Sequence, residues 1–130
     1  MEKKPRINLY LVEEFVRKAH SDLTRVQELL AEEPALLNAS WDWGGGDWET
    51  GLGAASHVGR RDIAEYLLSK GARLDIFAAA MLGQLEIVKA ILATFPEMKD
   101  ARGPHGIPLM VHARFGGDAA APVVKYLETL

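Results

Sequence analysis

Thr50-Gly-Leu-Gly-Ala-Ala-Ser-His-Val-Gly-Arg-Arg-Asp-Ile-Ala-Glu-Tyr-Leu-Leu68 is followed by Leu74-Asp-Ile-Phe-Ala-Ala-Ala-Met-Leu-Gly-Gln-Leu-Glu-Ile-Val-Lys-Ala-Ile-Leu92. Aligned on Gly59 and Gly83, the two stretches share small residues before the glycine, an acid three residues after it, isoleucine at the fourth and leucine at the ninth. A phrase written twice in succession is the signature of a repeat architecture, and the fold expectation starts there.

Each copy reads as a pair of helices. Ala54, Ala55 and Ser56, like Ala78, Ala79 and Ala80, fill little volume but let a second helix approach closely. Gly59 and Gly83 supply the positive φ that ends the first helix, and Asp62 or Glu86 then enters the first turn of the second, where a negative charge suits the helix dipole. Ile63, Tyr66 and Leu67 recur on one helical face, as do Ile87, Ala90 and Ile91. Two such short helices cannot cover their own apolar stripe, so they must stack on neighbours.

These residues resemble ankyrin repeats. The family phrase Thr-Pro-Leu-His-x-Ala-Ala, with a glycine further on and then an aliphatic and Leu-Leu, is matched by Thr50, Leu52, Ala55, Gly59, Ile63, Leu67 and Leu68; Gly51 departs from the usual proline. Lys70-Gly71-Ala72 is similar to the family's ending, and Ile107-Pro108-Leu109 with Ala113 and Gly116 is a looser copy. The resemblance implies an all-α solenoid of about four helix-turn-helix repeats, near residues 8–38, 48–72, 73–100 and 105–130 of a single domain spanning 1–130. It also implies a binding module for a protein partner rather than an enzyme.

Composition agrees. A chain of 130 residues fits one domain with a continuous core. A formal charge of −3 leaves no basic footprint for nucleic acid or anionic membrane. With no cysteine, disulfides and thiolate metal sites are excluded, which suits a reducing compartment. No apolar run reaches the ~18 residues of a membrane span, and Met1 to Ile7 lacks the apolar segment of a secretory signal. A cytoplasmic monomer is expected.

Spacing between repeats makes the chain individual. The junction between Gly59 and Gly83 is short, leaving room for a tight turn at Lys70–Asp75 but none for a projecting hairpin finger. The first junction is enlarged, and its Ala39-Ser-Trp-Asp-Trp-Gly-Gly-Gly-Asp-Trp-Glu-Thr50 contains all three tryptophans. Trp41 and Trp43 alternate as in a strand, Gly44 to Gly46 make the turn, and Asp47-Trp48-Glu49 returns beside them. Such a finger displays aromatic faces next to carboxylates and suits partner recognition. Folding of the tryptophans back over the stack is the other reading.

Candidate chemistry concentrates on the same edge. Gly44 to Gly46 lacks the lysine and hydroxyl residue of a phosphate loop, and Gly51-Leu-Gly53 lacks the βαβ setting of a dinucleotide fingerprint. His20 and His57 stand two residues before Asp22 and Gly59, so repetition alone accounts for both, and histidine suits a helix C-terminus. His105 lies in a hairpin tip, Arg102-Gly-Pro-His-Gly106, and His112 on the helix that follows. No His-Glu-x-x-His pair and no metal-ligand spacing is present, so neither metal nor cofactor is expected. The expected partner surface comprises Trp41, Trp43, Asp47, Trp48, Glu49, His57, Arg102 and His105. The rival reading is a ligand- or carbohydrate-binding protein, or a minor enzyme, using Asp42, Asp47 or Glu49 with His105; it has no assignable acid–base pair or nucleophile.

Overall fold

The computed structural model describes residues 2–130; Met1, at the head of the segment read for a secretory signal, lies outside them. The chain is mostly helical. Helix α1 (Leu9–Lys18) begins where the Asn8 side chain accepts from the Tyr10 N–H, and α2 (Leu23–Glu32) where Asp22 accepts from the Arg25 N–H. Val12, Phe15 and Val16 of α1 and Val26, Leu29 and Leu30 of α2 are buried. A 3₁₀ turn at Pro34–Asn38 leads into a hairpin of β1 (Ser40–Asp42) and β2 (Trp48–Thr50).

The repeated phrases form α3 (Gly51–His57) with α4 (Arg61–Ser69), and α5 (Ile76–Met81) with α6 (Leu85–Thr94). Thr50 caps α3 by accepting from the Gly53 N–H, and Asp75 caps α5 by accepting from Ala78. Nearly every residue of α3 and α5 is buried, as their small side chains require. Gly59 and Gly83 take φ of 74° and 77°. The absent proline at position 51 has a steric cause: a Cβ on Gly51 would lie 2.6 Å from Cε2 of Phe15, so the α1 ring occupies that space.

After a 3₁₀ turn at Pro96–Asp100 and the loop tipped by Pro104–Gly106, α7 (Leu109–Phe115) and α8 (Ala121–Glu128) complete the chain. Gly116 does not play the part of Gly59. Its φ is −74°, and the left-handed residue is Gly117, with φ of 65°. Gly116 is required instead for close approach, since a Cβ there would collide with the Met81 carbonyl oxygen. A 3₁₀ turn over Gly117–Ala120 separates α7 from α8, and Pro122 falls in the first turn of α8.

Helix α1 packs on α3, α3 on α5 and α5 on α7; α2 meets α4 and α6 meets α8. Helix α3 also touches α7, because the six-residue α5 between them is short and thin. The core runs from Val12, Phe15 and Leu29 through Leu52, Ile63 and Leu67, and from Ile76 and Val88 to Leu109 and Val123. Burial of these apolar side chains at ~25 cal/mol per Å² is what holds the short helices. Among the described residues, no helix is long and apolar enough to cross a membrane.

Candidate metal centre

The finger is a hairpin, in the register Ser40 opposite Thr50, Trp41 opposite Glu49 and Asp42 opposite Trp48. Its turn needs glycine: Gly44, Gly45 and Gly46 have φ of 138°, 63° and 88°. Asp42 ties the turn by accepting from the N–H groups of Gly44 and Gly46. The hairpin does not display all its side chains. Trp41 packs against the core, Trp48 is 60% exposed, and Glu49 is 1% exposed. Glu49, expected on the finger's outer surface, is therefore buried on the side facing the helices.

Three histidines converge on that carboxylate. His20 follows α1, and its Nδ1 lies 3.0 Å from the carbonyl oxygens of both Val16 and Arg17. Carbonyls only accept, so Nδ1 donates and the neutral ring turns a lone pair on Nε2 inward. His105 sits at the loop tip with φ of 61°, a left-handed conformation unusual outside glycine. Asp47 secures it there, accepting from the His105 backbone N–H at 2.7 Å and from Nδ1 at 2.6 Å, so its Nε2 lone pair is also free. His57 ends α3. Its Nε2 is 3.1 Å from Nε2 of His20 and 3.0 Å from Oε2 of Glu49. Nε2 of His20 lies 3.3 Å from Oε1 of Glu49, and Nε2 of His105 lies 3.3 Å from Oε2.

One donor atom from each of His20, Glu49, His57 and His105 lies within 4.8 Å of every other. The Glu49 oxygens are used unequally. Oε1 accepts from the Trp43 indole N–H at 2.9 Å, whereas Oε2 is buried and makes no hydrogen bond, although two imidazole nitrogens stand close by. Burial would push the Glu49 carboxyl up, but the adjoining His20 and His57 and the Trp43 N–H together hold it down at about 2. The carboxylate beside His20 raises the pKa of that imidazole against the opposing effect of burial. The His105 backbone N–H, and then its ring, lower the Asp47 carboxyl.

No family model, curated protein or solved structure matches the chain. The chemistry of the site is therefore read from its own donors.

Four ligands of a tetrahedral zinc ion, each about 2.0–2.2 Å from the metal, stand about 3.3–3.6 Å apart. Three contacts among Nε2 of the histidines and Oε2 of Glu49, at 3.0–3.3 Å, are already near that spacing. Imidazole and carboxylate donors suit zinc and its divalent first-row neighbours. The surroundings also match what ligand histidines require: the backbone carbonyls orient His20, Asp47 orients His105, and Trp43 holds the second oxygen of Glu49.

Of the residues expected to form a partner surface, the structure gathers Trp43, Asp47, Glu49, His57 and His105 at this centre. It does not bring Trp41, Trp48 or Arg102 there. Trp48 and Arg102 instead line a cleft of about 340 Å³ between finger and loop, with Asp75 and Phe77, and the Arg102 guanidinium donates to the Gly106 carbonyl. The ligand that sequence reasoning missed is His20. Its only signal was its equivalence to His57, which repetition explained equally well.

Proposed function

We propose that the protein binds one divalent first-row transition-metal ion, zinc(II) foremost, through Nε2 of His20, His57 and His105 and Oε2 of Glu49. The observation that carries this reading is the buried Oε2 of Glu49, which has no hydrogen-bond partner although Nε2 of His57 and of His105 lie 3.0 and 3.3 Å away. A buried carboxylate oxygen left without a partner is costly, and a cation at that point would offset the cost. The scaffold is best taken as an ankyrin-like row of helix pairs, a reading supported by the succession of contacts from α1 to α3, α5 and α7. On that scaffold the metal ties the end of α1, the finger, α3 and the last loop together, and the protein acts inside the cell as a non-catalytic binding module.

The test is stoichiometry. Purified protein, stripped with chelator and titrated calorimetrically with zinc(II), is expected to bind one equivalent. The His20→Ala and His57→Ala variants, checked for unchanged helical circular dichroism, should each lose at least about tenfold in affinity. Wild-type affinity in both variants would refute the assignment.

A further inference from the structure

Resting on the metal reading above, we propose that the ion works as a clasp. It holds the loop at 102–107 against the finger, and its presence thereby decides whether the cleft between loop and finger is assembled.

The loop is a unit of its own. The Gly103 N–H donates to the Ile107 carbonyl at 2.9 Å, the Gly106 N–H to the Gly103 carbonyl at 3.0 Å, and the Arg102 guanidinium to the Gly106 carbonyl at 3.0 Å. Among the described residues, the hydrogen bonds it makes outside itself reach only Asp47, through the backbone N–H and Nδ1 of His105. Its root is packed: a Cβ on Gly103 would lie 3.0 Å from Cε1 of His112, and one on Gly53 would lie 3.3 Å from Cγ of Pro104. The tip lacks such support. A Cβ on Gly106 would meet nothing within 4 Å, and His105 holds a φ of 61° that costs an L residue free energy.

Asp47 and the centre are therefore what fix the tip. His57 meets His20 and Glu49 at 3.1 and 3.0 Å without any help from the loop, and these three donors come from the ends of α1 and α3 and from the finger. His105 is the donor that the loop adds, 3.3 Å from Oε2 of Glu49. With the loop open, three donors remain and the ion is held more weakly. An ion that binds one conformation better shifts the population towards it by the ratio of the two affinities. Gly46, Asp47 and Trp48 of the finger and Arg102, Gly103 and Pro104 of the loop line the same cleft, so opening the loop removes one of its walls.

The experiment follows amide hydrogen exchange by NMR in the full chain, with chelator and with saturating zinc(II). Calorimetric zinc titrations of the wild type and of His105→Asn accompany it, asparagine being chosen because it tolerates the left-handed backbone. Without metal, the His105 N–H is expected to exchange well before the amides of α3. Zinc should slow it by at least about tenfold, and by linkage the same factor, within about threefold, should separate the zinc Kd of His105→Asn from that of the wild type. One equivalent of zinc bound with His105 exchange unchanged, or His105 exchanging in step with α3 in both states, would overturn the clasp and leave the metal reading standing. Failure of the wild type to bind zinc would overturn both.

Discussion

Zinc-linked stability tests the centre most directly. A ligand that binds only the folded state stabilises it by ~2.7 kcal/mol at a free concentration one hundred times Kd. Unfolding entropy of ~2.1 cal/mol/K per residue gives a chain of this length ~0.27 kcal/mol/K, so the expected rise in Tm is ~10 °C. The informative perturbation is Glu49→Gln. Its side-chain carbonyl can still accept from the Trp43 N–H, so the packing is kept while the anionic donor is lost. An affinity loss of ~100-fold at the same zinc concentration leaves ~0.4 kcal/mol, a shift of only ~1.5 °C. Asp47→Asn, which disturbs only the orientation and basicity of His105, should fall between the two, near 5 °C for a tenfold loss. The assay is calorimetric or circular-dichroism melting of each protein with chelator and with zinc. A wild-type shift below ~2 °C, or an equal shift in Glu49→Gln, would refute the reasoning.

Other outcomes follow from the packing. Gly59→Ala should destabilise by more than ~2 kcal/mol in urea unfolding, because a Cβ there meets the Phe115 carbonyl. Gly106→Ala, also at positive φ but in open space, should cost only the ~1 kcal/mol of backbone strain. His112 is fully buried, and burial lowers its pKa, with the Pro108 carbonyl and Asp75 opposing and the charge of His57 adding to the lowering. The unfolded chain therefore takes up a proton at His112 before the folded one does. Wild type should lose stability relative to His112→Asn as pH falls below about 6.5, by up to ~1.4 kcal/mol near pH 5.5. Comparing the two proteins cancels His20, whose raised pKa acts in the opposite sense. Trp41→Ala should cost ~2–3 kcal/mol, since the ring packs against the core, whereas Trp48→Ala should stay within ~0.5 kcal/mol.

Much of the scaffold was legible because its causes are local. The apolar face of α4 and the left-handed Gly59 and Gly83 each act within a few residues of themselves. The face read for α6 differs: Val88 and Leu92 are buried while Ile87 and Ala90 are exposed, because packing on neighbours decides which stripe turns inward. The hairpin was legible because its signal is local too, its three glycines having no other use. Gly116 misled because a glycine required for close approach looks the same in sequence as one required for positive φ. The exposure of Glu49 misled because alternation along a strand says which residues share a face, not which face meets the helices.

What the sequence determined by itself was the set of paired helices with small-residue inner members, since helix propensity, capping and periodicity are properties of adjacent residues. Only tertiary structure brought His20, Glu49, His57 and His105 to one point. Their meeting depends on how deeply α1 and α3 pack, on the hairpin turning Glu49 inward and on Asp47 reaching across to the last loop. Those are long-range distances, and no spacing along the chain encodes them.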